Sequence, residues 1–370
     1  MGETGSTWLL SHVEGALVYS KKRDARALNE LDKQKIIIVG CGKAGGNTLS
    51  RLSSIDLKGA QTIAINTDEK NLDAIDADIK ILIGESLDKD PEGHDFTEIS
   101  KRAARLARGT LEEVLKDVDL VFVTAGMGGA VGSAISSVVA DIAKKQGATV
   151  IGMVSSPLRM EGARRVVTAE EGIWELRKTA DTVIVLDGNR VSEYAPGYLS
   201  LREIFSVMDQ IIAGALKDIT DTLTQYTLMF LDYADIKTVM GYGGIAVMLT
   251  GEVEYGDSDN IVGEVLTHPL LDVNYRGATG SFILITGGPD LTLKEAESIA
   301  TSLKYSLNPR TKVIWGAKIE RGYEGKVRVL AIMTGVRSAH IIGPNKTRTP
   351  MREADHKNKD RTSVIDIIPF

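Results

Sequence analysis

The sequence predicts an α/β protein: a parallel-sheet nucleotide-binding domain, then a long central helix, then a smaller α+β domain. Continuous apolar runs alternate with helical stretches, which is the pattern of a parallel sheet covered by helices on both faces. Two strand-to-helix junctions are rich in glycine, as expected where a backbone must approach a ligand closely. Beyond residue 200, apolar residues repeat at helical spacing through about six turns.

Residues 1–33 form an extension that we expect to be helical and separate from the main body. Trp8, Leu9, Val13 and Leu17 recur at roughly helical spacing. The simplest interpretation is a helix packed on the surface of the domain. An amphipathic contact with a partner or a membrane surface is the alternative.

Residues 34–199 are predicted to form the nucleotide-binding domain. One of its helices reaches Lys144 and Lys145 and stops before Gly147, as basic and glycine residues at a helix end indicate. Its strands correspond to five apolar runs: "KIIIVG", "QTIAINTD", "DLVFVTAG", "ATVIGMVSS" and "DTVIVLD". Because ligands bind beyond the carboxyl ends of the strands in such sheets, the site is expected there.

Residues 200–226 are predicted to form the central helix. Ser200 and Glu203 make a capping box at its start. The apolar residues of its buried stripe are Ile204, Met208, Ile211, Ala215, Ile219 and Leu223. This regular spacing indicates one uninterrupted helix.

Residues 227–338 are predicted to form the α+β domain, because strand-like segments such as "GGIAVMLTGEV" and "KVRVLAIMTGV" flank the helical "TLKEAESIATSLKYSL". Residues 339–370 are polar and charged, then apolar at the tip. That composition is typical of a flexible linker ending in a short peptide that a partner binds.

The composition argues against several functional classes. The net charge of −6 does not suit a general nucleic-acid binder, so no nucleic-acid partner is expected. The single cysteine, Cys41, excludes an internal disulfide framework and fits a reducing cytoplasm. Five scattered histidines do not make a zinc site with it. No apolar run approaches the length of a membrane span.

The first glycine-rich junction matches a dinucleotide fingerprint. Gly40, Gly42 and Gly45 fit G-x-G-x-x-G, and Asp68 ends the next strand at about the right distance. Alone, this motif predicts an NAD-binding Rossmann oxidoreductase, which stays open as an alternative. The second junction, 126–132, favours a longer chain of phosphates, because two loops offer two sets of backbone N–H groups.

Six segments carry a family resemblance by their order and spacing: "KIIIVGCGKAGGNTLSRL", "IAINTD", "TAGMGGAVGSA", "SPLRMEGARR", "FSVMD" and "LDYADIKTVM". They resemble FtsZ, the prokaryotic relative of tubulin. "HPLLDVNYRGATGSFILITGGPDLTLKEA" and "VIWGAKIE" look like the second domain of archaeal FtsZ proteins. The resemblance covers about residues 35–338 plus the tip. It implies GTP binding, head-to-tail filaments and GTP hydrolysis between subunits during cell division.

The resemblance implies a GTP site that uses both glycine-rich loops. The first loop would wrap the α- and β-phosphates, and the second would hold the β- and γ-phosphates. The expected residues at this end are Gly42, Lys43, Ala44, Gly45, Gly46, Asn47, Asp68, Gly128, Gly129, Ala130, Val131, Gly132 and Ser133. Glu161 and Arg165 would lie at the ribose end, although their spacing also fits a surface ion pair.

Phe205 and Asp209 match the family residues that stack on guanine and pair with its N1 and N2 hydrogens. Four residues apart on one helix, they share a face. A carboxylate that accepts two donors favours guanine over adenine. The resemblance therefore places the base against the central helix.

Asp232 and Asp235 are the expected catalytic residues. Their position also fits N-terminal capping of a helix. The resemblance implies that they enter the nucleotide site of the next subunit, polarise the attacking water and help to hold a cation. Mg²⁺ is expected with the phosphates of GTP or GDP, with no metal site built from protein side chains.

The sequence departs from the family pattern at several positions. The family's loop reads G-G-G-T-G-T-G. This sequence has Val131 where the family has a threonine, whose hydroxyl would donate to phosphate. Phe230 and Gly188 each replace an asparagine, although Asn189 is adjacent to the latter. Lys43 replaces a glycine and adds a positive charge.

An acidic segment, "ESLDKDPEGHDF", stands where the family has a glycine- and alanine-rich loop. These changes predict slow or conditional hydrolysis. The alternative is a non-hydrolysing, nucleotide-bound scaffold or regulatory paralogue. The terminal "RTSVIDIIPF" resembles the peptide by which FtsZ proteins bind anchors, so residues 361–370 are expected to bind a membrane anchor or division protein. The protein is thus expected in the cytoplasm, at the division site.

Overall fold

The computed structural model describes residues 8–13, 16–21, 35–83, 96–224, 227–229, 231–254, 260–266 and 273–338. The first strands are β1 (Trp8–Val13), β2 (Ala16–Lys21), β3 (Ile36–Cys41), β4 (Ala60–Asn66), β5 (Ile79–Ile83), β6 (Leu120–Gly126), β7 (Thr149–Ser156) and β8 (Thr182–Asp187). The first helices are α1 (Gly42–Ser54), α2 (Glu69–Asp73), α3 (Phe96–Val114), α4 (Ala130–Lys145), α5 (Ala163–Thr179), α6 (Gly188–Tyr194) and α7 (Leu201–Thr224). The later elements are α8 (Tyr233–Met240), β9 (Ile245–Glu254), α9 (Ile261–Leu266), β10 (Val273–Asn274), β11 (Gly280–Gly287), α10 (Leu293–Ser306), β12 (Lys312–Ile319), β13 (Lys326–Thr334) and β14 (Arg337–Ser338).

The predicted parallel sheet is confirmed. Its strands lie in the order β5-β4-β3-β6-β7-β8, and each neighbouring pair is parallel. Successive residues of β3 point to opposite faces: Ile36 and Ile38 enter one buried cluster, and Ile37 and Val39 enter another. Because both faces are covered, these strands are mostly apolar and do not alternate regularly with polar residues.

The helix predicted for the first 33 residues is wrong between Trp8 and Lys21. Those residues form the antiparallel strands β1 and β2, and β2 continues the sheet along the edge of β5. A spacing of four residues between apolar positions fits a two-residue strand period as well as a helix. The two strands pair in register from Trp8 with Lys21 to Val13 with Ala16. The rest of the extension lies outside the described residues.

The central helix matches its prediction. Ser200 and Glu203 form the expected capping box: the Glu203 carboxylate accepts from the Ser200 N–H at 2.7 Å, and the Glu203 N–H donates to Ser200 Oγ at 3.3 Å. Met208, Ala215 and Ile219 of the predicted stripe are buried. The helix packs against α1, and its buried residues share one core cluster with residues from both halves of the sheet.

The carboxyl-terminal part is α+β, as expected. Strands β9, β13 and β11 are antiparallel neighbours, and β12 runs parallel to β11 at the sheet edge. Strand β9 joins β8 through two residue pairs only, so the two halves share one short seam. None of the helices in the described ranges has the length and apolarity needed to cross a bilayer. The tail, 339–370, lies outside the description.

Candidate functional site

A cleft of about 460 Å³ opens at the carboxyl ends of β3, β4, β6 and β7. This is where the parallel topology predicts a ligand. Twelve predicted residues line it: Gly42, Lys43, Ala44, Asn47, Asp68, Gly129, Val131, Gly132, Glu161, Arg165, Phe205 and Asp209. The structure therefore gathers the predicted phosphate, ribose and base residues around one cavity.

The two glycine-rich loops meet at the floor of the cleft. Gly42 begins α1 with a φ of +69°, and a Cβ there would lie 3.3 Å from the Gly132 nitrogen. A Cβ at Gly132 would lie 2.6 Å from the carbonyl oxygen of Gly126. Both loops lead into helix N-termini, whose first N–H groups have no intrahelical partner. Their juxtaposition makes a polar cradle suited to a chain of phosphates.

Four of the predicted residues stand behind the cleft wall. A Cβ at Gly45 would lie 2.5 Å from the Thr124 oxygen, and one at Gly46 would clash with Ile75. Ser133 is fully buried, and its Oγ accepts from the Gly128 N–H at 2.9 Å. These residues shape the loops, while the direct phosphate contacts predicted for them stay predictions. Ala130 is the first residue of α4.

Val131 lies in the first turn of α4 and lines the cleft. Its partly buried side chain also packs against the core cluster that contains Ile37 and Val39. Here the sequence presents an apolar branch to the phosphate end of the cavity. A phosphate oxygen beside it gains no hydroxyl donor.

Val131→Thr is expected to tighten binding of GTP two- to tenfold, because one new hydrogen bond contributes about 0.5–1.5 kcal/mol. Threonine has nearly the shape of valine, with a hydroxyl in place of one methyl group, so the remaining methyl keeps the core contact. Calorimetric titration with a slowly hydrolysed GTP analogue measures the change. Val138→Thr, further along the same helix, is the matched control and should leave affinity unchanged. An unaltered affinity in the first variant would show that the position does not face phosphate.

Glu161 and Arg165 form the predicted ion pair, while their role at the ribose end stays a prediction. Their side chains form an ion pair of 3.0 Å, and both line the cleft. Glu161 also accepts from the Leu158 N–H at 2.9 Å, which fixes the loop after β7. Arg165 is half exposed, so its charge remains accessible from the cleft.

The side-chain amide of Asn189 is hydrogen-bonded within its own chain. Its amide oxygen accepts from the Arg159 N–H at 2.8 Å, and its amide nitrogen donates to Asp187 at 3.1 Å. Gly188 is closely packed, since a Cβ there would lie 2.6 Å from the Ser156 oxygen. The departure at Gly188 is therefore part of a tight loop–helix contact.

The central helix forms the end of the cleft where the base is predicted. Phe205 lines the cleft and packs against the core cluster on the α7 side of the sheet. Asp209 Oδ1 accepts from Thr48 Oγ1 at 3.4 Å. Burial raises the pKa of Asp209 to about 6, although hydrogen bonds from Thr48 and Asn47 act in the opposite direction. The result is a carboxylate in a partly dry pocket, which strengthens its hydrogen bonds to a ligand.

This pKa predicts a pH dependence for guanine binding. The carboxylate accepts two ligand hydrogens only when ionised, so binding favours the form that has lost its proton. The affinity for GDP should be level above about pH 7 and should fall towards tenfold per pH unit below about pH 6. Calorimetry across that range measures it, and the difference from Asp209→Asn separates Asp209 from the titrating terminal phosphate. A difference curve without slope would contradict the assignment.

Sequence reasoning missed several cleft residues, among them Cys41, Asn66, Asn71, Ser155 and Pro157. The sequence could have indicated them only through their position, because they lie at or just beyond the carboxyl ends of predicted strands. Asn66 is only 4% exposed, and its amide nitrogen has no hydrogen-bond partner among the residues that the structure describes. An unpaired buried donor on the wall of a cleft is a group that a ligand oxygen can satisfy.

Asp232 and Asp235 form a reciprocal capping box at the start of α8. The Asp235 N–H donates to Asp232 Oδ1 at 2.8 Å, and the Asp232 N–H donates to Asp235 Oδ2 at 3.2 Å. Between them, Tyr233 donates to the Asp119 carbonyl at 2.6 Å and contacts Thr149 Oγ1 at 2.7 Å. Asp119 and Thr149 lie at the amino ends of β6 and β7. The structure therefore does not bring the aspartates into the cleft of their own chain.

The distance between the cleft and the capping box is set by the length of the strands. Strand β7 has eight residues, which span about 26 Å at 3.3 Å per residue. The cleft lies at one end of this strand and the capping box at the other. The two acids can reach a nucleotide only if it is bound by another molecule.

A cleft with two phosphate cradles, and with an aromatic ring and a carboxylate on one helix face, defines a nucleoside-phosphate-binding protein. Comparison with known families makes this specific. Residues 35–196 match the GTPase domain of the Tubulin/FtsZ family, and residues 244–337 match the FtsZ family C-terminal domain. The chain belongs to the Tubulin/FtsZ family. The resemblance seen in the sequence is confirmed, and the oxidoreductase alternative falls away.

Individual relatives agree with the family assignment. Cell division protein FtsZ 2 of Halobacterium salinarum is 51% identical over 338 residues, which cover 90% of this chain and 86% of that protein. FtsZ 2 of Methanocaldococcus jannaschii is 46% identical over 90% of this chain and 88% of its own length. An M. jannaschii FtsZ dimer structure matches with a TM-score of 0.77 and 38% identity, over 84% of this chain and 90% of that chain.

Proposed function

We propose that this chain binds GTP in the cleft, assembles head to tail, and hydrolyses GTP at the contact between subunits during cell division. The observation that carries the proposal is the placement of Asp232 and Asp235 at the end of the sheet opposite to the cleft. The name of the matched relatives, cell division protein FtsZ 2, supports the cellular role.

Each part of the nucleotide is assigned to a part of the cleft. The start of α1, from Gly42 to Asn47, holds the α- and β-phosphates, and the segment from Gly128 to Ser133, which leads into α4, holds the β- and γ-phosphates. Glu161 and Arg165 bind the ribose end. On α7, the ring of Phe205 stacks on guanine, and the Asp209 carboxylate accepts its N1 and N2 hydrogens. The burial of Asp209 and its contact with Thr48 support this orientation.

Hydrolysis requires a second subunit. The capping box holds Asp232 and Asp235 in fixed orientations on an exposed end of the molecule, where they can enter the cleft of a neighbour. There the carboxylates orient and polarise the attacking water. Because this contact joins two different surfaces, its repetition gives a filament and not a closed dimer.

Mg²⁺ fits the phosphate end of the cleft through the ligand's own oxygens. Mg²⁺ sites with nucleotides use one or two carboxylates together with phosphates and water. Asp68 is the carboxylate available at that end, although its oxygens also cap α2. When bound, the ion would neutralise charge on the phosphates. Within the described ranges, no three acidic, histidine or cysteine side chains are grouped as a metal cage.

The test is GTP turnover measured against protein concentration. We expect turnover per subunit to be near zero at low concentration and to rise steeply once filaments sediment. A rate per subunit that is independent of concentration would exclude the shared site. Assembly without phosphate release would instead favour the scaffold alternative, for which the apolar Val131 at the phosphate end is the supporting observation.

We further propose that residues 361–370 bind a membrane-associated partner and bring the filament to the division site in the cytoplasm. The apolar tip after a charged linker supports this role. Removing these ten residues should spare filament formation and abolish co-sedimentation with the partner. Loss of filaments in the truncated chain would contradict the proposal.

A further inference from the structure

A buried ionic cluster joins the central helix to the carboxyl-terminal domain. Asp218 on α7 is 6% exposed, and its carboxylate accepts from Lys318 Nζ at 2.8 Å and from the Arg328 guanidinium at 2.6 Å. Lys318 lies on β12, and Arg328 lies on β13. Lys318 also pairs with Glu320 at 2.9 Å. One carboxylate of the helix is thus held by cations from two strands.

The two cations of the cluster are stabilised in their charged forms by the neighbouring carboxylates. Burial alone would lower the pKa of Lys318, but the charges of Asp218 and Glu320 outweigh it and raise the pKa. Arg328 responds in the same way, and its guanidinium lies 5.0 Å from the Tyr323 ring centroid. Because buried charges depend on one another, small relative movements of α7 and β12 are disfavoured.

Strand β12 also contacts the segment that leads to Asp232 and Asp235. Met229 and Ala317 exchange backbone hydrogen bonds: the Met229 N–H donates to the Ala317 oxygen at 3.0 Å, and the Ala317 N–H donates back at 3.4 Å. Ala317 is the neighbour of Lys318. Leu231 is buried against Gly316, where a Cβ would clash with its side chain. The approach to Asp232 is therefore fixed to β12 by its backbone and by a side chain.

We infer that Lys318 and Asp218 are positioning residues for Asp232 and Asp235. Their ion pair fixes β12 against the central helix, and β12 holds the loop at the distance that the neighbouring cleft requires. The inference rests on the proposed function, since the loop must act in another subunit. Lys318 itself is 6% exposed and cannot contact that subunit directly.

Lys318→Met is the main variant, because it keeps most of the side-chain length and removes the charge. We expect turnover at saturating GTP to fall at least fivefold, with the affinity for GTP unchanged. Lys318→Arg should restore most of the turnover. Lys326→Met, which removes an exposed pair with Glu252 on the adjacent strand, is the matched control and should keep full turnover.

Mixing experiments assign the defect to one face of the subunit. Asp209→Ala supplies an intact loop with a defective cleft, and Asp235→Asn supplies an intact cleft with a defective loop. Turnover of Lys318→Met should rise above the sum of the separate proteins when it is mixed with the first variant, and should show no such gain when it is mixed with the second. A merely stabilising role would lower the melting temperature and give no such asymmetry.

The outcomes separate this inference from the proposed function. If Asp209→Ala and Asp235→Asn fail to restore each other, the shared site is wrong. If they restore each other but Lys318→Met is not restored by Asp209→Ala, the positioning role is wrong. Should Lys318→Met not fold, Asp218→Asn keeps the shape of the carboxylate and must show the same asymmetry with a smaller loss; symmetric behaviour would overturn the inference.

Discussion

Asp235→Asn is expected to lower GTP turnover at least about 100-fold, since a carboxylate that polarises water typically contributes that much or more. The affinity for GTP should change less than about twofold, because the residue lies a full strand length from the cleft of its own chain. The asparagine oxygen can still accept from the Asp232 N–H, so α8 keeps its start. Steady-state phosphate release and nucleotide titration measure the two quantities.

A second capping box provides the matched control. Thr292 and Glu295 form the same reciprocal pair at the start of α10, with the Thr292 N–H donating to Glu295 at 3.1 Å. Glu295→Gln makes the equivalent change from carboxylate to amide and should keep full turnover. If it lowered turnover as much as Asp235→Asn, the effect would come from helix capping and not from catalysis.

The shared site also predicts complementation. In an equal mixture of Asp235→Asn and Asp209→Ala, roughly a quarter of random head-to-tail contacts join an intact cleft to an intact loop. Each variant alone has none. Turnover should therefore rise well above the sum of the two separate proteins. A mixture that stays at that sum would place both functions within one chain.

The sequence predicted those parts of the site whose signals are local. The capping box at Ser200, the strand-to-helix glycine loops and the shared face of Phe205 and Asp209 each depend on residues within a few positions of one another. Such patterns can be recognised in the sequence because helix and strand geometry alone fixes the relative positions of these residues.

Parts that depend on tertiary contacts were beyond local reasoning. The antiparallel strands β1 and β2 were predicted as a helix, because apolar residues four apart fit both structures and only the pairing of β2 with β5 decides between them. Ser133 is fully buried, and its Oγ accepts from the Gly128 N–H, a contact that no local pattern indicates. Asp218 and Lys318 lie 100 residues apart, so no local sequence pattern predicts their ion pair.

Asp209→Asn is expected to weaken GTP binding about 100-fold and to improve binding of xanthosine triphosphate. Guanine presents N1–H and N2–H donors, and a carboxylate accepts both. An asparagine accepts one and opposes the other with its own N–H, and an unpaired buried donor costs about 1–3 kcal/mol in addition to the lost charge. Xanthine carries an oxygen at position 2, which accepts from the new amide.

The matched control is Phe205→Leu, on the same face of α7. Stacking on an aromatic ring is tolerant of the base, so this variant should weaken GTP and xanthosine triphosphate by similar factors. Competition between the two nucleotides for the purified chain gives both preferences in one titration. An Asp209→Asn protein that still prefers GTP would mean that the carboxylate does not read the guanine edge, and the orientation of the nucleotide in the cleft would have to be reversed.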